Sequence, residues 1–112
     1  MNYERILYTT ADKSLTVDFY FLNSIPNAGW RIYIMSTIDY KDRNIDPIPL
    51  HRIYDAENKY DYICWDHPIE TLEDARYIAR LYAEITTIYI QFGGSFDEIA
   101  QQYMASMNGG AS

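Results

Sequence analysis

Residues 62–75 read YICWDHPIETLEDA, and the chain changes its periodicity inside this stretch. Tyr62 to Trp65 close an extended, aromatic segment. Pro68 then holds the chain out of a helical conformation, and Thr71, with Asp74 three residues on, has the spacing of a helix-capping box. Beyond it Leu72, Ala75, Ile78, Ala79, Tyr82, Ile85, Tyr89 and Phe92 recur at steps of three or four, which predicts one apolar stripe along a helix. Glu73, Arg76, Tyr77, Arg80, Glu84 and Thr87 lie largely elsewhere on that helix, and Gly93 and Gly94 end it. Ser95 and Glu98 repeat the capping spacing, so Phe96, Ile99, Ala100 and Tyr103 predict a short second helix with a narrow apolar stripe.

Upstream of residue 62 the period is two. Leu15, Val17, Phe19 and Phe21 alternate with Thr16, Asp18 and Tyr20, the pattern of a half-buried strand. ERILYTT before it also favours a strand, and ADKS between the two has turn composition, so the first two segments form a hairpin. Pro26 and Gly29 break the chain. Trp30, Ile32, Ile34 and Ile38 then alternate with Arg31, Tyr33, Met35 and Thr37 in a third strand over 30–38. Residues 39–49 turn polar and carry two prolines, as an exposed loop able to hold function would. LHRIY and YDYICW flank DAENK, a second hairpin. Strands followed by helices, not alternating with them, indicate an α+β layer: an antiparallel sheet of four or five strands, a long helix packed on one face and a short terminal helix. A single domain over 1–107 and a flexible tail over 108–112 follow from the length of 112 residues and from NGGAS, which has nothing to pack.

The composition, 48% hydrophobic and 22% charged, is that of a folding chain. Its outlier is tyrosine, 12 residues against 4 phenylalanines and 2 tryptophans. Tyrosines serve as half-buried borders of a small core or as a contact surface, since aromatic side chains are enriched at interface centres. A net charge of −7 argues against direct binding to nucleic acid or to an anionic membrane, both of which require a basic face. One cysteine, Cys64, excludes an internal disulfide and fits a reducing compartment. Neither a signal peptide nor a membrane span is expected, which makes the cytoplasm the default location.

Cys64, Asp66 and His67 stand together, and His51 falls opposite Cys64 or Trp65 if the second hairpin pairs Tyr54 near Tyr60. These four are the best metal or Cys–His constellation in the chain. Zinc, however, usually takes paired ligands twice, and a nucleophilic thiol needs a helix start or cations beside it, whereas this helix starts only at Thr71. The structural alternative has Cys64 packing as a small apolar residue at a corner where a strand gives way to a helix. Asp39, Asp42 and Asp46 lack the spacing of a calcium loop, and GGSFDE matches no phosphate-binding loop. No cofactor is implied.

GWRIYI together with YICWDHPIETLEDARYIA resembles small proteins of conjugative and other mobile elements in Gram-positive gut bacteria, over Gly29 to Phe92. The resemblance implies an intracellular accessory protein and carries no catalytic residue. The sequence thus reads as a noncatalytic, acidic protein-binding module, its partner another protein or a second copy, with Tyr40 in the 39–49 loop and Tyr77 and Arg80 on the long helix as contact residues. An inhibitor of a nucleic-acid enzyme is a sharper form of the same reading. The alternative is a metal-dependent or thiol enzyme using His51, Cys64, Asp66 and His67.

Overall fold

The computed structural model describes residues 2–23 and 29–109. Five strands come first: β1 (Tyr3–Thr9), β2 (Thr16–Leu22), β3 (Arg31–Ile34), β4 (Arg52–Asp55) and β5 (Tyr60–Ile63). They form one antiparallel sheet in the order β1-β2-β3-β5-β4, followed by α1 (Leu72–Phe92) and α2 (Phe96–Gly109). This is the expected α+β arrangement. Pro26 lies outside the described residues. So does the end of the expected tail, while α2 itself reaches Gly109.

Alternation decides the two faces of the sheet. Val17, Phe19 and Phe21 of β2, Ile32 and Ile34 of β3 and Ile63 of β5 point to one face and are all buried. Fully burying side chains of this size stabilises by about 1.5–3 kcal/mol each. The third strand is shorter than the 30–38 expected. Asp18 explains its end: its carbonyl accepts from Met35 N at 2.7 Å, but its N–H donates to the Ser36 hydroxyl at 2.7 Å. A side chain has replaced the main-chain partner, and the ladder stops.

Helix α1 covers the apolar face. Its N-cap is Thr71, whose hydroxyl accepts from Asp74 N at 3.0 Å, and Gly93 ends it at a positive φ of 73°, open to glycine, with its N–H on Tyr89 O at 2.8 Å. The expected stripe is buried from Ala75 to Tyr89, but Phe92 is 76% exposed, and Leu81, Ala83, Thr86 and Thr87 are buried as well. Two further neighbours widen the buried arc. The β1–β2 turn reaches α1 through Ser14, which hydrogen-bonds the Thr87 hydroxyl, and α2 packs against α1 through Phe96. Phe96 takes the place expected of Phe92, its ring 5.4 Å from Tyr82 and 5.9 Å from Tyr89, because the Gly93 turn folds the chain back.

The 39–49 segment is not a free loop. Arg43 donates to the carbonyls of Ile90 and Gln91, each at 3.1 Å, and so occupies two of the acceptors that a helix end leaves unsatisfied. Tyr89 donates to Asn44 O at 2.8 Å and Tyr82 to Leu50 O at 2.6 Å. Tyr40, expected as a contact residue, is 7% exposed and part of the core. Its hydroxyl accepts from Arg52 at 2.7 Å, and the same guanidinium holds Asp61 at 2.8 Å. A tyrosine that completes a half-buried ion pair is unavailable to a partner.

Gly29 ties the start of β3 to the segment before α1. It bridges Ile69, and Trp30 N donates to Ile69 O at 2.8 Å. At φ +76°, a Cβ on Gly29 would lie 2.6 Å from the Ile69 carbonyl oxygen, whereas one on Gly94, at φ +90°, would meet nothing within 4 Å. Gly94→Ala therefore carries only the conformational cost of a left-handed residue, about 1–2 kcal/mol. Gly29→Ala adds the overlap and is expected to cost about 3 kcal/mol or more. Urea denaturation of the two variants measures the difference.

Candidate functional site

The second hairpin forms as its composition predicts, and of the two positions expected opposite His51, Cys64 or Trp65, it brings Cys64 there. Arg52 pairs with Ile63, Tyr54 with Asp61 and Asp55 with Tyr60, and one step beyond the ladder Cys64 N donates to His51 O at 2.7 Å. The side chains nevertheless diverge. His51 is left-handed, at φ 55°, and its imidazole meets the Asp97 carboxylate at the start of α2, 6.1 Å from the Phe96 ring. Asp66 and His67 are exposed and lie 3.5 Å apart. Among the described residues no group of three or more His, Cys, Asp or Glu side chains converges as a metal ion requires. The four-residue constellation is not assembled. Cys64 itself is exposed, not packed as a small apolar residue, because β5 ends at Ile63 and the chain leaves the sheet there.

His51, Cys64 and Asp66 instead share the wall of a groove of about 550 Å³. Its floor is Ile63 of β5 and Ile78, Leu81, Tyr82 and Ile85 of α1. One side is Phe96, Ala100 and Met104 of α2; the other is Cys64, Trp65 and Asp66. The His51–Asp97 pair joins the hairpin to the helix at the rim. The lining thus combines an apolar interior with two carboxylates, and among the described residues it holds no lysine or arginine. Concave, mostly apolar surfaces with a few polar groups are where ligands and partner side chains seat. Another depression, of about 640 Å³, opens beside the 35–41 segment; there Arg52 is paired with Asp61 and Lys41 with Asp39, and Lys59 also lines it.

The face of the sheet turned away from α1 carries a row of tyrosines. Tyr3 stacks on Tyr20 with ring centres 6.0 Å apart, Tyr20 lies 6.4 Å from Tyr33, Tyr33 5.8 Å from Tyr62, and the Arg31 guanidinium sits 4.4 Å above the Tyr62 ring. Such contacts are worth about 0.5–1.5 kcal/mol each beyond burial. Charges on this face are paired: Arg5 grips Asp18 at 2.9 Å, and Arg31 meets Asp55 at 3.3 Å. Asp55 also accepts from the Tyr33 hydroxyl at 2.6 Å and from Asn58 at 3.0 Å, and these bonds, Tyr33 first, hold its carboxyl down to about 2.

Tyr77 and Arg80 are on the exposed side of α1, as expected. They border a shallow depression of about 250 Å³ with Tyr8, Glu84 and Tyr103. There the Tyr8 hydroxyl donates to Glu84 at 2.5 Å; burial first, then this bond, raises Tyr8 to about 12. What the sequence reading missed is α2 as a groove wall. The only signal was its stripe of Phe96, Ile99 and Ala100, which says that a helix packs but not against what.

Comparison with protein-family models, curated proteins and solved structures finds no match to this chain. No helix among the described residues is long and apolar enough to cross a membrane.

Two outcomes are expected. The folded-state carboxyl of Asp55 lies below its ordinary value, so its contribution to stability is complete above about pH 4 and is lost as pH falls toward about 2. Asp55→Asn should flatten that part of the acid limb in denaturant midpoints measured against pH. Cys64, exposed on the groove wall, should react with a disulfide reagent in the folded protein about as fast as in urea.

Proposed function

We propose that the protein is a noncatalytic binding module that captures an amphipathic, basic segment of another protein in the groove between α1, α2 and the Cys64–Asp66 corner. The observation that carries this reading is the groove's lining: an apolar floor, carboxylates of Asp66 and Asp97 at the rim beside the imidazoles of His67 and His51, and no lysine or arginine among the described lining residues, on a chain of net charge −7. A helix that lays an apolar stripe into such a groove places its flanking lysines or arginines against the two acids. Met104, 40% exposed, and Trp65, 41% exposed, offer adaptable and rigid apolar contact respectively. The rim charges steer encounter and select against acidic segments more than they add affinity.

The setting is the cytoplasm, where Cys64 stays reduced. An accessory or inhibitory role follows if the captured segment belongs to a working part of the partner.

Trp65 lines the groove and reports on it by fluorescence, with Trp30→Phe removing the other indole. A designed amphipathic helix of leucine and lysine should quench or shift Trp65 and slow the labelling of Cys64. A leucine–glutamate helix of the same pattern should do neither. Asp66→Lys should weaken the leucine–lysine peptide by about tenfold, equal to 1.4 kcal/mol. Met104→Arg, which puts bulk and positive charge into the mouth, should weaken it further while leaving the far-UV circular dichroism unchanged. Equal binding of both peptides, or labelling of Cys64 unaffected by either, would refute the reading.

A further inference from the structure

We propose that two copies of this chain join through the outer edge of β1, making one continuous ten-stranded antiparallel sheet across a two-fold axis. This goes beyond the groove and does not depend on it, since β1 and the β5–β4 hairpin lie at opposite edges of the sheet.

Two hydrogen bonds identify which main-chain groups face outward. Asn23 N donates to Asn2 O at 2.9 Å and Thr10 N to Leu15 O at 2.8 Å, at the two ends of a register that runs without a bulge from Tyr3↔Leu22 to Thr9↔Thr16. In an antiparallel ladder alternate residues bond to the neighbour, so the even-numbered residues of β1 bond to β2. The N–H and C=O groups of Tyr3, Arg5, Leu7 and Thr9 therefore point away from the sheet, and no described strand pairs with them.

Free edges are ordinarily blunted by proline, unpaired charge, a bulge or shortness. The other edge strand, β4, is protected in this way. It has four residues, follows the left-handed His51, and turns the charged Arg52 inward. By contrast, β1 has seven residues, no proline and no bulge. Its two charges are already bound within the monomer, Arg5 by Asp18 and Glu4 by Arg76 in two contacts of 2.7 and 2.6 Å. Leu7 remains 70% exposed on this edge.

The sequence of β1 also selects one register. Centring the two-fold axis on Ile6 pairs Tyr3 with Thr9 and Arg5 with Leu7 of the other copy, so all four outward-facing residues exchange both main-chain bonds. The two Leu7 side chains become diagonal neighbours, within reach of each other. Centring on Arg5 sets guanidinium against guanidinium, and centring on Leu7 leaves Tyr3 unpaired. In the Ile6 register the tyrosine row of each copy continues into the next. The opposing force is the net charge of −7 on each copy, which salt screens.

Light scattering and sedimentation across a concentration series should show a monomer–dimer equilibrium that shifts toward dimer with added salt. Leu7→Pro removes one outward N–H and no bond within the sheet; it should give a monomer with an unchanged circular dichroism spectrum. Leu7→Lys keeps the donor but opposes Arg5 of the other copy, and should weaken association at least tenfold. The register is tested by Ile6→Cys in a Cys64→Ser background. A non-hydrogen-bonded antiparallel pair brings its Cα atoms to about 4.5 Å, within disulfide reach, so mild oxidation should yield a covalent dimer, and Leu7→Pro in that background should abolish it. A monomer at every concentration with no Ile6→Cys cross-link, or a dimer indifferent to both Leu7 variants, would overturn the proposal.

Discussion

The structure depends on the covering of one sheet face by one helix. Phe19, Phe21, Ile32 and Ile34 gain nothing from a strand conformation until something apolar lies across them, and α1 is the long amphipathic element that does so. Its position settles where the rest of the chain goes. Glu84 reaches the β1–β2 hairpin through Tyr8 and Ala11, and Arg76 reaches Glu4. Arg43, Asn44 and Leu50 gather around its C-terminal half. The helix holds the sheet from above, and the intervening loop caps the helix.

The same arrangement divides the tyrosines by role. Tyr82 and Tyr89 are buried and spend their hydroxyls on loop carbonyls, which is how a segment with two prolines is held down without secondary structure of its own. Tyr40 completes a network with Arg52 and Asp61. Tyr20, Tyr33 and Tyr62 line the other side of the sheet as a packed row. An aromatic-rich composition here is in part a device for a small core, where many side chains sit at a boundary and need both an apolar body and a polar tip.

The groove exists because α1 has more apolar surface than the sheet can cover. Helix α2 shields part of it, pinned by Phe96 and by the His51–Asp97 pair, and the Cys64–Asp66 corner stands on the other side. The space between them is concave, apolar and edged by acids. The reading as a basic-segment receptor rests on that chemistry. The edge of β1, at the far side of the sheet, offers main-chain hydrogen bonding instead, so the two surfaces can be occupied together.

The sequence by itself determined the elements. Period-two alternation in residues 15–21, the Thr71–Asp74 cap and the glycines at 93 and 94 are local facts, set by backbone sterics and nearest-neighbour hydrogen bonds, and they were readable without the fold. The sequence narrowed the position opposite His51 to Cys64 or Trp65, since a short hairpin has few registers, and the structure selects Cys64. Only the tertiary structure decided which side chains share a surface. It withdrew Tyr40 into the core, exposed Cys64 and Phe92, buried Thr87, left His51, Cys64, Asp66 and His67 without a common centre, and brought Asp97 to His51 from 46 residues away. The reason is physical: periodicity states that a residue faces something, whereas the identity of that something depends on elements whose packing is decided by the competition of all apolar surfaces for one small core.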